Sequence, residues 1–140
     1  MNYCKGICLF LAALFVLAGH SDSNAQEKGK TRFFELRIYT THPGKLDALN
    51  KRFREHTNRI FKKHGMELVG YWTPSEGKDA GNTLVYILAY PNKEAREKAW
   101  KGFRNDPEWK KAFAESRENG PIVKKVVSKF LNPTDYSPIK

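Results

Sequence analysis

The sequence is short of cysteine and of acidic residues, and both shortages exclude classes of protein. Its two cysteines, Cys4 and Cys8, lie within the first eight residues. The chain beyond them therefore has no disulfide, no thiol nucleophile and no cysteine metal ligand. The sequence also lacks a glycine-rich phosphate loop, a dinucleotide fingerprint and a Ser-His-Asp signature. Common nucleotide-binding and hydrolase classes are therefore not indicated.

Long hydrophobic runs are also scarce, and the one at the start predicts export. Residues 7–19 are apolar, follow Lys5, and precede the small residues of Ser23-Asn24-Ala25. This order is typical of a secretory signal peptide, and the run is short for a bilayer span. We predict a signal peptide over 1–25, a flexible lead-in over 26–32 and a single domain over 33–140. An uncleaved anchor is the alternative, and the predicted location is the periplasm or the cell exterior.

The charge balance is strongly basic. Lys and Arg number 25 against 15 Asp and Glu, for a net charge of +10. Such a balance predicts weak contact with anionic envelope surfaces, or simply a solubilising surface. No nucleic-acid-binding motif is present, and export argues against nucleic acid as a partner.

Hydrophobic periodicity predicts six elements along the domain. The strands are expected over 33–41, 66–73, 83–90 and 122–131, and the helices over 45–64 and between Asn92 and Asn119. The second helix should break and restart at Asp106-Pro107, because proline lacks a backbone N–H and clashes with the preceding turn. Asp106 is suited to cap the restarted helix, with Pro107 at its first position.

The order βαββαβ predicts an α+β, ferredoxin-like fold. Two right-handed crossovers place both helices on one face of a four-stranded antiparallel sheet. We expect the largely apolar central-strand residues Tyr86, Leu88 and Tyr90 to lie on the other face. A contiguous apolar face usually marks an interface, so we predict a homodimer in which two sheets face each other as a dimeric α/β barrel.

Several segments in fixed order resemble the NIPSNAP family of the dimeric α/β-barrel superfamily. They are Glu35-Leu36-Arg37-Ile38-Tyr39, Pro43-Gly44-Lys45, Gly70-Tyr71-Trp72, Phe103-Arg104-Asn105-Asp106-Pro107-Glu108-Trp109 and Asn132-Pro133-Thr134-Asp135-Tyr136-Ser137-Pro138. The resemblance implies the same fold and a homodimer. It implies no reaction, because the family has no agreed activity or catalytic residues. Eukaryotic relatives are associated with mitochondria and vesicle traffic, a setting from which a signal-bearing chain departs.

Three residues are candidates for catalysis. His56 lies beside the apolar stripe of the first predicted helix, where it could transfer protons near neutral pH. Arg37 and Tyr39 share a strand face with Glu35 and could bind a carboxylate or phenolate. The alternatives are a core histidine satisfied by one hydrogen bond, and a structural Glu35/Arg37 pair or a contact across the dimer.

Four aromatic residues are candidates for ligand binding. Trp72, Tyr71, Tyr86 and Trp100 could line an apolar pocket with polar tips, although a core role is the alternative and is favoured for Trp100. No metal site is predicted, since His56 and His64 lie about two helical turns apart, roughly 12 Å. No cofactor is predicted either.

These features support three hypotheses of function. The first is an exported binding or interaction module for a small apolar or aromatic ligand, or for a partner protein. The second is a cofactor-independent oxygenase or isomerase with His56 as base, Arg37 and Tyr39 stabilising an oxyanion, and Trp72 walling the pocket. It depends on analogy with other branches of the superfamily. The third is haem binding or haem degradation, for which no axial-ligand arrangement is evident.

Overall fold

The computed structural model describes residues 32–140, so the predicted signal peptide and most of the lead-in lie outside the described residues. The strands are β1 Phe33–Thr41, β2 Glu67–Trp72, β3 Thr83–Tyr90 and β4 Val123–Leu131. The first helical segment consists of α1 Leu46–Arg52, a π-helical turn Phe53–Thr57 and α2 Asn58–Lys63. The second consists of α3 Lys93–Asn105 and α4 Pro107–Glu115.

The four strands form one antiparallel sheet in the order β2-β3-β1-β4. This order results when each helical segment connects two parallel strands that flank a third, antiparallel one. The α+β, ferredoxin-like prediction is therefore confirmed. No helix within residues 32–140 is long and apolar enough to cross a lipid bilayer.

The core lies between the helices and one face of the sheet. Phe61 contacts Phe103 with ring centroids 4.7 Å apart, and Phe53 contacts Tyr86 at 5.2 Å. Trp100 is buried against both helices and sheet, as the core interpretation expected. Tilted and edge-to-face packing of this kind adds to the stability that comes from burial alone.

The predicted orientation of the central strand β3 is wrong. Tyr86, Leu88 and Tyr90 are buried beneath the helices, with exposures of 0%, 0% and 1%. The period of two is correct but its phase is reversed. The tyrosines of β3 lie on the helix side together with other polar groups. The side chains that alternate with them, such as Val85 and Ile87, are aliphatic and point to the opposite face of the sheet.

The open face of the sheet is apolar all the same. Leu36 pairs with Ile87, and Ile38 pairs with both Val85 and Val127. All five side chains are only partly buried. We refer to these five residues as the open face. It is the surface that a second copy would cover in a dimeric barrel.

The C-terminal tail folds back over one end of this face. A cavity of about 320 Å³ lies between sheet residues such as Phe34 and Ile87 and tail residues such as Pro133 and Ile139. The main-chain oxygen of Lys140 accepts a hydrogen bond from Arg32 Nε at 2.6 Å. The tail is therefore part of the folded domain.

The Asp106-Pro107 joint forms as the sequence predicted. The Asp106 carboxylate accepts a hydrogen bond from the Glu108 main-chain N–H at 2.9 Å, and Pro107 occupies the first position of α4. The same carboxylate also accepts from His64 Nε2 at 2.7 Å and Lys63 Nζ at 2.8 Å. Hydrogen bonds from Lys63 and then His64 hold the pKa of Asp106 well below its ordinary value. The joint thus connects the two helical segments.

We expect Asp106→Ala to lower the free energy of unfolding by about 1–2 kcal/mol, because both the cap and the two side-chain contacts disappear. Asn92→Ala is the matched control. Asn92 caps α3 through the Ala95 N–H alone, and its loss should cost about 1 kcal/mol or less. Urea denaturation measures both values. Equal losses would show that the contacts with Lys63 and His64 add no stability.

Candidate functional site

A cavity of about 230 Å³ opens in the cleft between the helices and the sheet. It is bounded by the π-helical turn, by α3 and α4, and by β1 and β4. Its lining is mainly aromatic and aliphatic with three polar contributors, Tyr39, Arg52 and Thr57. The remaining lining residues are Phe53, Phe61, Phe103, Trp109, Phe113, Val123 and Val126. We call this space the cleft cavity.

The π-helical turn and the last residue of α1 place three side chains at this cavity. Arg52, Phe53 and Thr57 are all buried, although an unbroken α-helix would direct Arg52 away from the stripe formed by the other two. Thr57 Oγ1 donates to the Arg52 main-chain oxygen, five residues earlier, at 3.2 Å. Such turns are frequent at functional sites.

Arg52 is unusual because it is a buried arginine with a hydrogen-bond donor that no described residue satisfies. The residue is only 4% exposed, and its Nε makes no hydrogen bond within residues 32–140. Its Nη1 donates to Ser116 Oγ at 3.1 Å, and its guanidinium lies over Trp109 and Phe113 at 5.4 and 5.3 Å. Burial lowers the pKa of Arg52, as does the charge of Arg117. An arginine still stays protonated at neutral pH.

Tyr39 connects the cavity to a row of polar side chains along β1, formed by Glu35, Arg37 and Tyr39. Its hydroxyl accepts a hydrogen bond from Arg37 Nη2 at 3.2 Å, and its ring contacts Phe53 and Tyr86. The Tyr86 hydroxyl and the Arg37 Nε are buried and make no hydrogen bond in the described part of the chain. Burial raises the pKa of Tyr86 well above its ordinary value, so this hydroxyl keeps its proton.

Glu35 anchors the other end of this row. Its carboxylate is completely buried and accepts hydrogen bonds from Arg37, Arg96, Trp100, Ser128 and Tyr90. Burial alone would raise its pKa, but the bonds from Arg96 and Ser128 and the charge of Arg37 lower it from 4.5 to about 2. A carboxylate so fully paired is structural, and the Glu35/Arg37 pair corresponds to the structural alternative considered from the sequence.

His56 lies apart from Arg37 and Tyr39. It lines a second cavity of about 340 Å³ between the first helical segment and α4, together with Glu55, Glu115 and Ser116. Its side chain is 38% exposed, and its Nε2 lies 3.9 Å from a Glu55 oxygen. Arg52 lines both cavities. The three residues considered for catalysis are therefore not brought together.

The four aromatic candidates are also divided. Tyr71 stacks on Tyr86 with ring centroids 5.4 Å apart and lines a shallower cavity of about 200 Å³ beside Phe53. Trp100 donates its indole N–H to Glu35 at 2.8 Å within the core. Trp72 is 52% exposed and lies on the opposite face of the sheet from Tyr71, folded back over Gly70. Trp72 therefore borders the open face and does not reach the cleft cavity.

Metal ligands do not cluster in the described part of the chain. Within residues 32–140, no group of three or more His, Cys, Asp or Glu side chains is placed to hold a metal ion.

Sequence reasoning missed the importance of Arg52 and Glu35. A regular helical period places Arg52 on the charged side of its helix, away from the apolar stripe. The unpaired extra residue of a π-helical turn leaves little trace in the sequence. For Glu35, the signal was its place among the alternating residues of a central strand, where a carboxylate must be paired if buried.

Comparisons with known proteins agree with this architecture. An uncharacterised NIPSNAP-like domain protein from Burkholderia xenovorans is 23% identical, with 78% of this chain and 90% of that chain covered and a TM-score of 0.68. A NIPSNAP family protein of unknown function from Agrobacterium tumefaciens is 26% identical, with coverage of 80% and 96% and a TM-score of 0.70.

A more distant likeness is to SnoaB, a cofactor-independent oxygenase from Streptomyces nogalater. It is 14% identical, with coverage of 77% and 98% and a TM-score of 0.52, which shows the fold alone. No match was found among the curated proteins. The NIPSNAP family model, however, matches residues 34–138. Because this match covers most of the sequence, the chain belongs to the NIPSNAP family.

Proposed function

We propose that this chain is a binding module whose cleft cavity takes a small aromatic or apolar ligand. The observation that carries the proposal is the cavity itself, which has a volume of about 230 Å³ and is lined mostly by aromatic rings with three polar side chains among them. Small-molecule sites combine an apolar lining with few oriented polar groups in this way. A partner protein is the alternative occupant, but a concave cavity of this size suits a small molecule better.

The burial of polar atoms near the cavity favours a ligand over simple core packing. Nε of Arg52 has no protein partner among the described residues, although nearly all buried polar groups in proteins are satisfied. A polar ligand atom or a water molecule would supply the missing hydrogen-bond acceptor. Around this point the rings of Phe53, Trp109 and Phe113 provide flat apolar contact area.

The proposed assembly is a homodimer built through the open face. Leu36, Ile38, Val85, Ile87 and Val127 form an apolar surface on the side away from the helices, and Lys129 borders it on β4. Such surfaces usually mark interfaces. The dimeric arrangement implied by the family resemblance would cover this surface and leave the cleft cavity open on the helix side.

The proposal also includes export of the protein from the cytoplasm. The order of charge, apolar run and small residues in the first 25 positions supports secretion. The ligand would then be met outside the cytoplasm. The basic surface would at most add weak contact with anionic envelope material.

Catalysis is the weaker alternative. The superfamily includes a cofactor-independent oxygenase of the same fold, SnoaB. In this chain, however, His56 lines the second cavity while Tyr39 lines the cleft cavity. A base and an oxyanion-stabilising group must reach the same substrate to act together. The arrangement therefore favours binding.

Calorimetric titration with 2-naphthoate and 2-naphthamide tests the binding proposal. We expect at least one of these aromatic probes to bind the native protein. Val126→Trp should weaken that binding about 10-fold or more, because the larger ring fills the cavity at its partly open side.

Lys124→Trp is the matched control for that titration. It adds the same ring two residues away on the same strand, outside the cavity lining, and should leave binding unchanged. The proposal would be contradicted if neither probe bound the native protein. It would also be contradicted if Val126→Trp and Lys124→Trp weakened binding equally.

A further inference from the structure

We infer that the cleft cavity selects an anionic aromatic ligand, and that Arg52 is the residue that binds its carboxylate or equivalent anionic group. This inference deepens the proposed function and depends on it. It adds a charge requirement that an aromatic lining alone would not impose.

The first argument is the isolation of the Arg52 charge. Buried arginines are normally paired with a carboxylate, because desolvating an unpaired charge is costly. Within residues 32–140, no Asp or Glu oxygen lies within 4 Å of Arg52, although Arg37 and Arg96 are both paired with Glu35. The fold therefore gives Arg37 and Arg96 a shared counter-ion and leaves Arg52, at 4% exposure, without one.

The second argument is where the unpaired charge lies. Arg52 lines the cleft cavity, and the rings of Trp109 and Phe113 lie beside its guanidinium at 5.4 and 5.3 Å. Arg117 contacts the same Phe113 ring at 4.8 Å, but it is exposed, so solvent screens its charge and the potential in the cavity comes mainly from Arg52. An anion in the cavity would thus meet a positive potential in a region of low dielectric, where charge pairing is strong.

The other charged groups near Arg52 do not remove this preference. Glu55 and Glu115 line the second cavity on the other side of Arg52, and both are exposed. Exposed carboxylates beyond ion-pair distance are screened by solvent and offset a buried charge poorly. The Tyr39 hydroxyl also lines the cleft cavity and can donate a hydrogen bond to the same anion.

The test compares 2-naphthoate with its neutral isostere 2-naphthamide. The native protein should bind the carboxylate about 10-fold or more tightly than the amide, as expected for a charge-assisted hydrogen bond in a buried site. Arg52→Met, which conserves the length and apolar stem of the side chain, should remove this discrimination by weakening binding of the carboxylate far more than binding of the amide. Thermal unfolding of the variant confirms that it is folded.

Lys51→Met provides the matched control, since it removes a neighbouring exposed charge that lines only the second cavity. Discrimination should survive in this variant. Equal binding of the two probes by the native protein would overturn the anion preference and leave the proposed function standing. Loss of discrimination in Lys51→Met would place the anion in the second cavity and so overturn the role of the cleft cavity. Failure of both probes to bind would overturn the proposed function and this inference with it.

Discussion

Glu35→Gln is expected to lower the free energy of unfolding by about 3–5 kcal/mol at neutral pH. The buried carboxylate accepts hydrogen bonds from Arg37 Nη1 at 2.7 Å, Arg96 Nη2 at 2.8 Å and Trp100 Nε1 at 2.8 Å. A glutamine amide carries no charge, and its NH₂ group would point at a guanidinium in place of an accepting oxygen. The two arginines would then be left without their counter-ion. Urea denaturation at pH 7 measures the loss.

Glu67→Gln is the matched control. This carboxylate pairs with Arg32, but its side chain is 54% exposed. Exposed pairs contribute roughly 0–1 kcal/mol, so the control should change stability little. Equal losses in the two variants would show that the Glu35 network contributes no more than a surface ion pair.

The same network predicts the acid sensitivity of the native protein. The pKa of Glu35 is lowered from 4.5 to about 2, so the folded state favours the ionised carboxylate. The resulting stability is present above pH 4.5 and is lost as the pH falls from 4.5 towards 2. It amounts to about 3 kcal/mol. Glu35→Gln should therefore show a flatter decline in this range than the native protein.

Ile38→Glu is expected to convert the proposed homodimer into a monomer. Ile38 lies at the centre of the open face, paired with Val85 on one side and Val127 on the other. A charged carboxylate at the apolar centre of the interface should raise the dissociation constant about 100-fold or more. Light scattering at micromolar concentration follows the change in mass.

Ala114→Glu supplies the control for the dimer. It introduces the same charge at an exposed position of α4, on the side of the sheet away from the open face. This variant should stay dimeric. A native protein that is monomeric at micromolar concentration, or dissociation of both variants, would contradict an interface on the open face.

Local patterns were sufficient to predict the order and the type of the elements. The period of two at Phe33–Thr41, the continuous apolar strand at Thr83–Tyr90 and the proline at 107 each depend on a few neighbouring residues. The capping role of Asp106 follows from residue types alone. Its additional contacts with Lys63 and His64 join distant parts of the chain and could not be read locally.

The orientation of the sheet and the content of the site were harder to predict. An alternating strand has two faces, and hydrophobicity favoured the wrong one because Glu35, Arg37 and Tyr39 are polar yet lie under the helices. Their burial depends on Arg96 and Trp100 of α3, which satisfy them only in the folded state. Arg52 reaches the cleft cavity through a π-helical turn, a departure from regular period that the pattern does not reveal.

The central claim is that the cleft cavity holds a small aromatic ligand, and indole N–H NMR signals test it most directly. The chain has three tryptophans, of which Trp109 lines the cleft cavity and Trp72 lies on the opposite face of the sheet. Titration with 2-naphthoate should shift the Trp109 signal to saturation and leave the Trp72 signal in place. A shift confined to Trp72, or no shift at Trp109, would contradict the proposed site.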